Sequence, residues 1–354
     1  MTFFKDKMII VTDSSKNINL FRLVDKELNR YYFDNKTQIL NKMKVGKKVF
    51  LEYNASIDKE DYIYLIYQDM SFDLILTLLR DREMETIKLT EKPIPEIYYL
   101  DIILNDKEPH IFYFILLSEI EKKYRIYHHY FNGVDWITNV VDEIKVDKLL
   151  NPMKVIKNNN EIIIGYYDNK EEEQMYIKSF DLKEKKWGEK IQLTNNPIPM
   201  LYIDFLLIRD KLNLVYCQYD ENIVVKYERF NYKDGLVQKE VEKVLSNEEN
   251  SRHPILIYYE EKIWVVWIEY ENIMSRYSDD GGSTWSPIYL WNESKSNDIV
   301  KYKYCNSLEV DNNILNYSFG KIRPDISFIG FGPLANITEI PIKKKTISKN
   351  LKPF

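Results

Sequence analysis

The chain has 354 residues, with Lys+Arg 50 against Asp+Glu 55 and a formal net charge of −5. A dedicated nucleic-acid binder shows a basic excess, so nucleic acid is not an expected partner. Hydrophobic residues at 45% and charged residues at 30% are the composition of a folded domain, and only 10 glycines argue against collagen-like repeats, P-loops and dinucleotide loops.

Taken in chain order, the first element is a short apolar run over residues 8–13, ending at Asp13. Charges at Lys5, Asp6 and Lys7 precede it, so neither a secretory leader nor a membrane span is predicted, and a cytoplasmic location is expected. Similar runs cover 62–69, 111–119, 162–168, 212–220 and 263–269, ending at Asp69, Glu119, Asp168, Asp220 and Glu269. A seventh run, 314–319, ends at Gly320 instead. The end points recur every 49–56 residues.

The runs are apolar at almost every position and rich in β-branched and aromatic residues, as in Ile263-Trp264-Val265-Val266-Trp267-Ile268. That pattern predicts strands covered on both faces. A proline turn and another apolar segment often come before, as at Pro93, Pro95, Pro197, Pro199 and Pro254. A third segment follows, such as 124–131 or 223–230, and then an alternating fourth, such as Lys190-Ile191-Gln192-Leu193. Four strands in each unit of about 50 residues predict an all-β chain folded as a β-propeller of four-stranded antiparallel blades. The count gives seven blades, with six as the alternative; a pair of β-sandwiches is the rival architecture. Residues 1–342 are read as one propeller domain and 343–354 as a basic tail. The first unit lacks an innermost strand, and the segment at 337–342 is expected to complete the first or the last blade.

One stretch is more specific. Ser278-Asp279-Asp280-Gly281-Gly282-Ser283-Thr284-Trp285 fits the pattern Ser-x-Asp-x-Gly-x-Thr-Trp. It resembles the Asp-box, or bacterial neuraminidase repeat, of the sialidase-like propellers, and the likeness extends over about 40 residues, from Arg252 to Pro287. Physically, Ser278 and Asp280 suit hydrogen bonds to the backbone of a tight turn, and Gly282 suits a positive φ. Trp285 suits an apolar plug between blades. The resemblance implies a structural hairpin between third and fourth strands, on the face away from the ligand site. The family's enzymes also need an arginine triad, a Tyr–Glu nucleophile and an acidic proton donor. The early Arg22 is followed by Leu23 and Val24 rather than by an Ile-Pro pair, and Arg252-His253-Pro254 comes only in the sixth unit. The catalytic set therefore does not carry over, and no exo-sialidase activity is expected.

If the strand order is right, Asp13, Asp69, Glu119, Asp168, Asp220 and Glu269 surround one mouth together with Arg252 and His253, a site for a basic group. The plain alternative is that each acid caps its own turn. Tyr98, Tyr99, Tyr202, Tyr258 and Tyr259 fall on the presumed first strands and could stack on sugar faces. His128 and His129 are adjacent, so a strand points them to opposite faces, and Cys217 and Cys305 stand alone. No metal and no cofactor is expected. The function expected is a non-catalytic binding or scaffold module for a glycan or protein ligand. The alternative is a glycosidase or polysaccharide lyase, and two carboxylates about 5–10 Å apart in one pocket would favour hydrolysis.

Overall fold

The structure, a computed structural model, describes residues 7–146, 153–169, 172–220, 222–233, 235–296, 298–308, 313–322 and 325–343. Of the basic tail, only Lys343 lies among them. The first strands are β1–β4 (Met8–Thr12, Ile18–Val24, Glu27–Phe33, Leu40–Lys47). A second sheet is β5–β8 (Val49–Ile57, Ile63–Asp69, Leu74–Arg80, Glu83–Lys88), and a third is β9–β12 (Ile97–Asn105, Glu108–Ser118, Lys123–Phe131, Trp136–Lys145). The fourth is β13–β17 (Lys154–Asn158, Glu161–Asn169, Glu173–Asp181, Lys186–Trp187, Ile191–Gln192), and the fifth is β18–β21 (Met200–Ile208, Lys211–Asp220, Asn222–Lys233, Leu236–Val244). The sixth is β22–β25 (Ser251–Tyr259, Lys262–Glu269, Asn272–Ser278, Ile288–Trp291). Three further strands, β26–β28 (Val300–Asn306, Tyr317–Lys321, Ser327–Ile329), join β1–β4, and β29 (Ile337–Ile340) joins β22–β25.

The apolar runs are the second strands of their sheets, and their burial explains their composition. In β23 every residue from Trp264 to Ile268 is buried, because the sheet is packed on both sides. The fourth strands β8 and β21 are mostly exposed. Inner strands β5, β9, β13, β18 and β22 pack one against the next, and β26 and β27 complete the circuit between β22 and β5. The fold is the predicted β-propeller.

The described strands form six sheets rather than seven, because the first and the seventh apolar runs fall in the same sheet. The inner strand missing at the N-terminus is supplied by β26, which pairs with β1 in parallel from Met8↔Tyr302 to Thr12↔Asn306. The first strands and β26–β28 thus close the ring through one sheet. The segment at 337–340 serves the sheet of β22–β25, where it pairs with β25.

The 278–285 hairpin joins β24 to β25, third to fourth strand. Asp280 accepts hydrogen bonds from Ser283 N at 3.0 Å, Thr284 N at 2.8 Å and Thr284 Oγ1 at 2.7 Å. Those bonds, the one from Thr284 N foremost, hold its carboxyl down at about 2. Ser278 Oγ donates to Asp280 and accepts from Gly282 N. Gly282 has φ +91°, and a Cβ there would lie 2.0 Å from the Tyr227 hydroxyl. Trp285 meets the Tyr227 ring edge-on at 4.8 Å, so the hairpin is fixed to the preceding sheet.

Candidate ligand site on the propeller axis

Three inner strands carry the same irregularity near their start. Tyr99, Tyr202 and His253 have φ of 54°, 59° and 52°, and at each the pairing with the second strand shifts register. Such bulges re-aim the residues that follow. Asp101 then faces Phe112, Asp204 faces Val215 and Ile255 faces Val266. Asn54 opposite Ile66 and Lys154 opposite Gly165 hold the same position in β5 and β13. One residue from each of five inner strands therefore contributes to a single layer across the axis.

The layer is joined by charge. Lys154 Nζ lies 2.7 Å from Asp204, both side chains being about 5% exposed. Lys303, on β26, lies 2.6 Å from Asp101 and 2.7 Å from the Asn54 amide oxygen. Asn54 Nδ2 in turn donates to Asp101 at 3.0 Å. The Tyr317 ring, on β27, has Lys154 Nζ 4.2 Å and Lys301 Nζ 5.0 Å from its centroid. Burial lowers the Lys301 ammonium to about 8, against the attraction of Asp204.

A cavity of about 790 Å³ opens on this layer, bounded by the C-terminal parts of the inner strands and by the segment that follows β26. Aromatic pairs form two of its walls: Tyr259 with Phe331 at 5.2 Å, and Tyr304 with Phe328 at 5.4 Å. Asn306, Asn313 and Asn316 contribute amides, and Asp101 is the one carboxylate among the described lining residues.

The strand-end acids do not assemble into a ring. Asp13 lies at the opposite end of the propeller from Asp69, because β1 runs parallel to its inner strand; the neighbouring Ser14 hydroxyl donates to Asp61, in the turn between β5 and β6. Asp69 and Glu269 face the first residues of their inner strands, Val49 and Ser251. Ile115 and Gln218 hold that position in β10 and β19, so Glu119 and Asp220 fall four and two residues further on. Asp13 caps its own turn by accepting from Ser15 N and Asn17 N, and Asp69 does so from Ser71 N and Asp73 N. Asp168 is buried against Lys190 at 2.6 Å, Glu119 is exposed, and Glu269 is buried, which pushes its carboxyl up.

Arg252 pairs with Glu271 at 2.8 Å, and the His253 ring packs at a tilt against Tyr202, centroids 4.2 Å apart, where burial lowers its imidazole to about 3. Of the predicted residues, Tyr259 lines the cavity, and His253 is close enough to Lys301 for that ammonium to help lower its imidazole. The axial residues that sequence reasoning missed had one signal: a Tyr-x-Asp after a proline turn, at Tyr99-Leu100-Asp101 and Tyr202-Ile203-Asp204. Among the described residues no three His, Cys, Asp or Glu side chains are grouped to hold a metal ion, and no helix is long and apolar enough to cross a membrane.

No family model and no curated protein matches the chain. Among solved structures it is similar to an ulvan lyase of a new polysaccharide lyase family, with a TM-score of 0.59 and 10% identity over 92% of this chain and 94% of that one. A second polysaccharide lyase gives 0.54 and 11% identity over 80% of each chain. The fucose-recognising lectin of Aleuria aurantia, a six-bladed β-propeller, gives 0.50 and 8% identity over 81% of this chain and 95% of that one. At such identities the likeness establishes the β-propeller fold alone.

Proposed function

We propose that the protein is a non-catalytic carbohydrate-binding propeller whose ligand enters the axial cavity. The observation that carries this reading is the cavity's lining: two aromatic pairs beside three asparagine amides. Rings accept the apolar faces of sugars, and amides serve both as donors and as acceptors to hydroxyl groups. The lectin and lyase neighbours support a glycan as the ligand class. The 278–285 hairpin, with its resemblance to an Asp-box, supports a sialidase-like relationship and acts as a structural clamp.

Hydrolysis is the weaker reading. It calls for two carboxyl groups with divided roles, whereas the described lining offers Asp101 alone, held by Lys303. The test is a glycan array and calorimetry with the intact chain and with Phe331→Ala. The variant should bind its best glycan at least tenfold more weakly while melting within a few degrees of wild type. Absence of binding to any glycan at millimolar concentration overturns the proposal. Release of reducing ends, or of unsaturated sugar absorbance, would establish catalysis instead.

A further inference from the structure

We propose that Asp101 Oδ2 is the selecting group of the axial cavity, a lone acceptor that takes a hydroxyl group of a neutral sugar residue. The inference rests on the glycan-binding reading above and names the atom that discriminates within it. Asp101 is 8% exposed and lines the cavity. Its two carboxylate oxygens are used unequally. Oδ1 accepts from Lys303 Nζ at 2.6 Å, from Ile102 N at 2.9 Å and from Asn54 Nδ2 at 3.0 Å. Oδ2 accepts from none of the described residues. It is not one of the enclosed atoms without a partner, so it keeps accessible surface at a residue that opens on the cavity.

The polar groups beside it are already spent. Lys303 Nζ directs its three N–H bonds at Asp101 Oδ1, at Asn54 Oδ1 at 2.7 Å and at Ile102 O at 3.4 Å. Asn54 Nδ2 donates to Leu100 O and to Asp101, and Asn54 Oδ1 accepts from Ala55 N and from Lys303. Lys154 is held by Asp204 and by the Tyr317 ring. The floor therefore presents an acceptor, although lysines surround it. Three bonds fix the carboxylate in place before any ligand arrives, and such preorganisation favours binding. A hydroxyl that donates to Oδ2 gains a charge-assisted hydrogen bond. A ligand carboxylate would be repelled there, and a ligand ammonium would compete with Lys303 for a charge already neutralised. An uncharged hydroxyl is the donor that avoids both costs.

The experiment is calorimetry of the full chain with the methyl glycosides of glucose, galactose, mannose, fucose and xylose. Those that bind are followed by their monodeoxy and monodeoxyfluoro forms. At one ring position, hydrogen and fluorine should each weaken binding by at least about tenfold, because neither can donate to a carboxylate. In Asp101→Asn the three donors hold the amide oxygen in the place of Oδ1, which leaves Nδ2 in the place of Oδ2. That variant should bind the parent glycoside at least about tenfold more weakly and should prefer fluorine to hydrogen at the same position. The fluorine series in wild type needs no variant, so it stands if Asp101→Asn fails to fold. Tolerance of fluorine at every position, unchanged binding by Asp101→Asn, or tighter binding of methyl glucuronide than of methyl glucoside would overturn this inference and leave the glycan reading standing. No binding by any of the five glycosides would overturn it as well, while the glycan array decides the broader reading.

Discussion

Lowering the pH from 7 to 5 should destabilise the protein steeply, and the cause is histidine. The chain has only four histidines, and all four are held below their ordinary value of 6.5, burial being the leading cause each time. His110 and His128 are wholly buried on adjacent strands, with His110 Nδ1 2.9 Å from His128 Nε2. His128 stacks on Phe112 at 4.5 Å. The two outward ring nitrogens, His110 Nε2 and His128 Nδ1, have no partner among the described residues. Burial pushes His110 down to about 3 and His128 well below 6.5, the latter also repelled by its histidine neighbours.

The sign follows from linkage. Below about pH 6.5 the unfolded chain takes up protons that the folded chain, with its histidines held lower, refuses, so stability present above 6.5 is lost as the pH falls. Each fully buried imidazole loses about 2 kcal/mol between pH 7 and 5, so the pair loses about 4 kcal/mol. His129 and His253 are partly exposed and add less; Glu269, whose carboxyl is raised, opposes the trend slightly. Against a usual domain stability of about 5–15 kcal/mol the change is large. Urea midpoints at pH 7, 6 and 5 measure it. His110→Leu combined with His128→Phe keeps the site apolar and should remove more than half of the pH dependence. A flat profile in wild type, or an equally steep one in the double variant, would refute the reasoning.

Two further outcomes are expected. Asp204→Ala should cost about 3–5 kcal/mol in urea unfolding, because it strands the Lys154 ammonium and removes the acceptor of Leu256 N; a loss below about 1 kcal/mol would show the pair to be dispensable. In the 278–285 hairpin, Asp280→Ala should cost about 1 kcal/mol, since the turn it caps is exposed, and Trp285→Ala about 2–3 kcal/mol through lost packing on Tyr227. Glycan binding by both variants should be unchanged, and unaltered melting temperatures would remove the hairpin's assigned role.

The propeller was legible because its middle strands are packed on both faces, which writes unbroken apolar runs into the sequence at a constant interval. Register was not legible. Counting to the next acid places Glu119 four residues and Asp220 two residues beyond the position that Ile115 and Gln218 occupy, because the hairpins differ in length. The reversal of Asp13 was hidden for another reason: the partner of β1 is 294 residues along the chain, and nothing local makes that pairing parallel. In the axial layer, Asp101 and Asp204 share a local pattern with each other, but Asn54, Lys154 and Lys303 share none. They meet through closure of the ring, which no local pattern encodes.

The bulges explain why that layer is polar at all. A left-handed residue other than glycine costs about 1–3 kcal/mol and takes backbone groups out of the sheet ladder. The preceding sheet supplies the missing partners. Asn54 Nδ2 donates to Leu100 O beside the bulge at Tyr99. Tyr167 Oη donates to Tyr202 O at the next bulge, and Asp204 accepts from Leu256 N just past the third. The polar side chains therefore bind sheet to sheet, and Lys154 and Lys303 neutralise the two carboxylates so used. A carboxylate committed both to a backbone N–H and to an ammonium is poorly placed to act as acid or base on a substrate. Under the proposed binding function, the groups that this bonding leaves over are the aromatic rings and asparagine amides that line the cavity, together with the second oxygen of Asp101.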